Sequence, residues 1–160
     1  MSSSKPLLLT RVRSTLKERN LVRPSESVLV ACSGGADSLA MLYAFAELSS
    51  SFEMGLHVAS VNHQLRDNAA DDVEFVRQHA LTLGLPFHGL CVELPKEPSI
   101  QNAARKVRYR ALLALKDKIG ATKIAIAHTL DDQAETVLDR LLRGAAVWLF
   151  RALRRVERMA

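Results

Sequence analysis

The sequence predicts an open, doubly wound α/β fold, a mostly parallel sheet with helices on both faces. Short apolar runs alternate with segments of helical period about ten to fifteen residues long, the pattern of successive βαβ units. The runs are apolar throughout instead of alternating, which fits strands buried between two helix layers. Crossovers in such sheets are right-handed, so helices on both faces follow from the topology. The length of 160 residues suits one core, and a composition of 48% hydrophobic and 24% charged residues excludes a disordered tail, a collagen-like chain or a low-complexity linker.

The elements follow in order. Leu7–Asn20 reads as an amphipathic helix, and Pro24 separates it from what comes next. Ser27–Cys32 is a buried-strand run that ends in the turn Ser33-Gly34-Gly35. From Ser38 to Leu48 apolar residues recur at helical spacing (Leu39, Leu42, Tyr43, Phe45, Ala46). Gly55–Val61 is the second strand. Asp67 or Asn68 caps a helix whose inward residues are Val73, Val76, His79, Ala80 and Leu83, and Gly84 ends it. Phe87–Val92 is the third strand. Ser99 or Asn102 opens a helix through Leu115 that Gly120 closes. Lys123–Ala127 is the fourth strand and Leu130–Leu142 a further helix. The expected organisation is a basic N-terminal helix (1–23), one α/β domain (24–144) and a basic amphipathic C-terminal helix (145–160).

The net charge of +5 is unevenly placed. Residues 1–23 hold six Lys/Arg and one acid, 24–139 hold ten against fifteen, and 140–160 hold six against one. Two basic ends around an acidic body suggest a polyanion met at its edges; the plainer reading is two solvated helix faces. No apolar run approaches the ~20 residues of a membrane helix. Met1–Leu9 is too short a greasy stretch for a secretory signal. Cys32 and Cys91 form no Cys-x-x-Cys pair, so a reducing cytoplasm is expected.

The chemistry concentrates in Ser33-Gly34-Gly35-Ala36-Asp37-Ser38, set between a strand and a helix. The glycines let the backbone turn tightly and approach a ligand. The loop amides and the helix N-terminus make an anion site, with Ser33 and Ser38 adding hydroxyls. Asp37 would repel a bound phosphate unless a divalent cation lay between them; otherwise Asp37 or Ser38 simply caps the helix. The Gly-Lys-Ser/Thr of a Walker loop and the Gly-x-Gly-x-x-Gly fingerprint are both missing.

Other polar segments follow the strands. Asn62, His63 and Arg66 come after the second. Arg105 and Arg108 sit three apart on one helix face, where guanidinium forks suit phosphate or pair with acids. His128, Asp131, Asp132 and Glu135 crowd the start of the helix after the fourth strand, where the dipole favours acids in any case.

The six-residue string resembles the pyrophosphate-binding loop of the ATP-pyrophosphatases. With Asn62-His63-Gln64-Leu65-Arg66, Gln101–Tyr109, Ala127–Thr136 and Leu141-Leu142-Arg143-Gly144 in order, residues 15–144 resemble the N-terminal domain of the tRNA(Ile)-lysidine synthetases. The resemblance implies a Rossmann-like sheet of the ATP-pyrophosphatase type. It implies ATP and Mg2+, with ATP bound by Ser33, Gly34, Gly35, Ala36, Asp37, Ser38, Asn62 and Arg105 and the metal by Asp37. It implies catalytic roles for Asp37, His128 and Asp132, and substrate contacts from His63, Arg66, Arg108, Asp131, Glu135 and Arg143. The implied partners are the anticodon region of tRNA(Ile) and free L-lysine, with no membrane; self-association is left open. Adenylation of the wobble cytidine and attack by lysine would form lysidine.

Two departures stand out. Thr129 replaces the second of two adjacent histidines, and Ala145–Arg155 replaces a glycine-rich loop followed by a strand. The alternatives are therefore a nucleotide-binding module or a degenerate or truncated homologue without turnover, and a tRNA thiolase built on the same loop.

Overall fold

A computed structural model describes residues 4–62, 69–92 and 100–127, all within one compact unit, 1–127. Its elements are α1 (Ser4–Glu18), β1 (Ser27–Ala31), α2 (Ala36–Leu48), β2 (Gly55–Asn62), α3 (Ala69–Thr82), β3 (Phe87–Cys91), α4 (Ile100–Lys118) and β4 (Lys123–Ile126), with one 3₁₀ turn at Ser50–Phe52. The expected helix at Leu130–Leu142 and the C-terminal segment lie outside the described residues.

The strands form one sheet in the order β3-β2-β1-β4, and every pairing is parallel. The open parallel sheet with helices on both faces is thus as the alternating pattern predicts. Val28, Leu29 and Val30 of β1 are all at most 1% exposed, which is what a central strand covered on both faces requires. One face packs Val28, Val30, Cys32, Leu56 and Val58 against Leu16 of α1, Leu42 and Leu48 of α2, and Val76 and Ala80 of α3. The other packs Leu29 and Ala59 against Leu112 and Leu115 of α4. Each fully buried Leu or Val contributes about 1.5–3 kcal/mol. Burial is incomplete at the flanks: residues of β3 are half-buried or exposed and all of β4 is half-buried. The apolar runs there cover one face well and leave the other partly open.

The helix ends follow from local chemistry. Gly84 and Gly120 close α3 and α4 with φ of +66° and +71°, and Leu85 and Ala121 return amide bonds to Ala80 and Lys116. Asn20 does the same for α1 at φ 50°. On the α4 face, His57 and His88 stack, with Nδ1 of the first 3.1 Å from Nε2 of the second.

The chain steps from β1 outward to β2 and β3, then crosses back to place β4 on the other side of β1. Strand order therefore reverses between β1 and β4. In open α/β sheets the carboxyl ends of the strands at such a reversal are where ligands bind.

Candidate phosphate-binding site

The segment Ser33–Ser38 leaves the carboxyl end of β1, the strand at which the order reverses. Cys32 still belongs to the sheet, donating its amide to the Ala59 carbonyl at 2.8 Å. The chain then turns through Gly34 at φ +85°, a left-handed conformation that favours glycine. Gly35 is the N-cap of α2, and Leu39 makes the first helical bond to its carbonyl at 3.0 Å. No side chain caps this helix. Gly35, and neither Asp37 nor Ser38, is therefore the N-cap. The amides of Ala36, Asp37 and Ser38 have no intrahelical acceptor, and the helix dipole adds partial positive charge there.

Ser38 organises the loop from inside. Its side chain is 6% exposed. Its Oγ donates to the Gly35 carbonyl at 2.9 Å, accepts the Ser33 amide at 3.2 Å, and lies 3.2 Å from Ser33 Oγ. The Cys32 thiol reaches it at 3.5 Å. Of the two hydroxyls expected to face a ligand, Ser38's is occupied within the loop, while Ser33 is exposed. Asp37 is exposed in the first turn of α2 and has no hydrogen bond or ion pair among the described residues. A carboxylate beside unpaired amides can join a cation to a phosphate. Among the described residues no cluster of three or more His, Cys, Asp or Glu forms a metal cage, so a metal at Asp37 would need phosphate oxygens as further ligands.

The remaining residues fall in three groups. Asn62 ends β2, half-buried, and its carbonyl accepts the Val92 amide at 3.0 Å. Arg105 and Arg108 lie along α4 with their guanidinium carbons 5.5 and 5.8 Å from the Tyr109 ring centre. They make no ion pair among the described residues, so the acid-paired alternative is not seen there. His63, Arg66, His128, Asp131, Asp132, Glu135 and Arg143 lie outside the described residues.

Sequence reasoning missed what lies behind the loop. A methyl group built on Gly34 would lie 3.6 Å from Phe75 Cδ1 and from Val76 Cγ2. Phe75 meets His79 edge to face, and His79 Nδ1 is 2.7 Å from the Tyr43 hydroxyl. The helical period marked Val76 and His79 as inward, but nothing in the sequence linked Phe75 to the loop.

The tRNA(Ile)-lysidine synthase of Clostridioides difficile is 35% identical over 147 residues, 88% of this chain and 32% of that protein. The one from Geobacter sulfurreducens is 42% identical over 144 residues, 86% and 30% respectively. The chain thus spans about a third of the length of these relatives. The solved structure of the U34-tRNA thiolase NcsA from Methanococcus maripaludis, with its [4Fe-4S] cluster, superposes with a TM-score of 0.75 at 19% identity, covering 90% of this chain and 52% of that one. That likeness concerns the fold. The PP-loop domain family matches residues 8–160, and the chain belongs to it.

Proposed function

We propose that this chain is the ATP-binding domain of a tRNA-modifying ligase that forms lysidine. The observation that carries the proposal is the Ser33–Ser38 loop. Its glycine turn, unpaired helix amides and unpartnered carboxylate sit at the point where strand order reverses. The relatives named tRNA(Ile)-lysidine synthase support the choice of reaction. The ring carbonyl oxygen of the wobble cytidine in tRNA(Ile) attacks the α-phosphate of ATP, the α–β bond breaks and pyrophosphate leaves, so that the oxygen carries the adenylyl group. The ε-amine of free lysine then attacks that carbon and AMP leaves.

The chain's own residues have defined tasks in this reading. The amides of Ala36, Asp37 and Ser38, with the Ser33 hydroxyl, hold the pyrophosphate portion. Ser38 shapes the loop. Asp37 offers the carboxylate for Mg2+, which fits a cation with one or two carboxylates and phosphate oxygens as ligands. Asn62 borders the nucleotide, and Arg105 steadies phosphate charge. Arg108, His63, Arg66, Glu135 and Arg143 face the RNA. Asp131 receives the lysine ammonium, and His128 with Asp132 positions the cytidine or takes the proton the amine must lose. The enzyme works in the cytoplasm, where its tRNA is.

The test is ATP- and lysine-dependent incorporation of lysine into a tRNA(Ile) transcript. Incorporation that is lost in Asp37→Ala and His128→Ala supports the assignment; full AMP release in either variant sinks it. A second reading has a specific basis. Thr129 stands in place of a histidine, and a nucleotide-binding module without turnover would bind ATP yet incorporate nothing. The thiolase reading is weaker. Cys32 is buried beside Ser38 and Cys91 is exposed at the end of β3, an arrangement unlike a cluster ligand set.

A further inference from the structure

We propose that Phe75, His79 and Tyr43 form a positioning brace that fixes the conformation of Gly34, and through it the affinity of the loop for the phosphates of ATP. The inference rests on the ATP-binding reading above. Phe75 is 48% exposed, so its ring is only partly covered by its neighbours. A Cβ built on Gly34 would meet Cδ1 of the ring at 3.6 Å, beside Cγ2 of the fully buried Val76 at 3.6 Å and the Asp72 carbonyl at 3.8 Å. Its other contact is edge to face with the His79 imidazole, ring centres 4.5 Å apart. That imidazole also meets the Tyr43 ring at 83° and takes part in the 2.7 Å hydrogen bond with the Tyr43 hydroxyl.

The arrangement has a mechanical consequence. Tyr43 belongs to α2, the helix whose N-terminal amides face the phosphates, while Phe75 and His79 belong to α3. The Tyr43–His79 bond therefore sets the register of α3 against α2. The Phe75 ring carries that register to Gly34, two residues before α2 begins. Both ends of the turn are then referred to the one hydrogen-bonded link between Tyr43 of α2 and His79 of α3. A glycine at φ +85° has wide freedom of its own, so its geometry depends on such neighbours. Misplacement by about 1 Å at a binding group can cost up to ~100-fold in rate.

The experiment uses the 160-residue chain with two readouts. Amide hydrogen exchange at Gly34, Gly35 and Ala36 reports the loop without nucleotide. Calorimetric titration with ATP and Mg2+ reports affinity. Phe75→Ala and Tyr43→Phe are expected to raise exchange at these amides and weaken ATP binding roughly tenfold. Phe75→Leu, which keeps an apolar contact, is expected to recover most of the affinity. Leu81→Ala, on the same helix and equally exposed, is expected to change neither readout. Tyr43→Phe keeps the ring and so guards against simple unfolding. Unchanged exchange in both Phe75→Ala and Tyr43→Phe would overturn the brace. If the unmodified chain fails to bind ATP while exchange still rises in the variants, the ATP reading falls and the mechanical coupling stands apart from it.

Discussion

Gly34 illustrates how one residue's backbone decides what a loop can hold. At φ +85° an L side chain crowds its own carbonyl, and the cost is about 1–2 kcal/mol. Space is not the difficulty, since a methyl there would meet its neighbours at 3.6 Å, an ordinary contact. Gly34→Ala should therefore lower unfolding stability in urea by about 1–2 kcal/mol and weaken ATP binding, because the loop relaxes away from the left-handed turn. An unchanged urea midpoint would show that the turn is not strained by a side chain. Ser38 acts differently, through hydrogen bonds. Ser38→Ala removes the acceptor of the Ser33 amide and the donor to the Gly35 carbonyl. The expected loss is about 1–3 kcal/mol, towards the lower end because water can reach Ser33. Retention of full stability and full ATP affinity would remove Ser38 from its organising role.

At the scale of elements, the strands and helices of the described residues were legible from period and punctuation, and their bounds came within a few residues. The loop's glycines and its place after the first strand were legible too. What the sequence did not disclose are contacts between distant elements. His57 and His88 lie 31 residues apart and meet only because β2 and β3 pair in parallel, Ala59 opposite His88. Tyr43 and His79 lie 36 apart and meet through helix packing. Periodicity encodes a face but not a partner, so such pairs need the assembled sheet. The His pair has a measurable effect. Burial, then repulsion from His57, then Lys118, hold the His88 imidazole below its ordinary pKa of 6.5. Unfolded His88 thus takes up a proton at higher pH than folded His88. Stability is fully present above pH 6.5, falls as pH drops through that value, and levels off below the folded pKa. His88→Gln should flatten this part of the melting-temperature profile; an unaltered slope would assign it to other groups. Ser27, at the start of β1, offers the opposite kind of test. Its Oγ is buried with no hydrogen-bond partner among the described residues. Ser27→Ala should be neutral to about 1 kcal/mol stabilising in urea unfolding, because an unpaired buried hydroxyl is removed.

For the whole molecule, topology and charge divide the work. Reversal of strand order between β1 and β4 sets where a ligand can enter. Charge bears on what else can approach. The α3 helix carries Asp71, Asp72 and Glu74, and Glu74 is held at a pKa of about 2 by hydrogen bonds from Arg77 and then Gln78. It therefore stays anionic at neutral pH, and Arg77 is largely occupied with it. The cations of α1 are differently placed: Arg11, Arg13 and Lys17 are exposed and make no ion pair among the described residues. Arg13 and Lys17 are four apart and share one helix face. If that face meets tRNA phosphates, each contact releases counterions and steepens the salt dependence of binding. Replacing both by Gln should reduce the slope of log K against log salt by up to about 1.8, while ATP affinity stays unchanged because the loop is untouched. The measurement is tRNA binding across a salt series for the parent and the double variant. Parallel lines would mean that the basic N-terminal helix is only a solvated face, and that the RNA is gripped elsewhere.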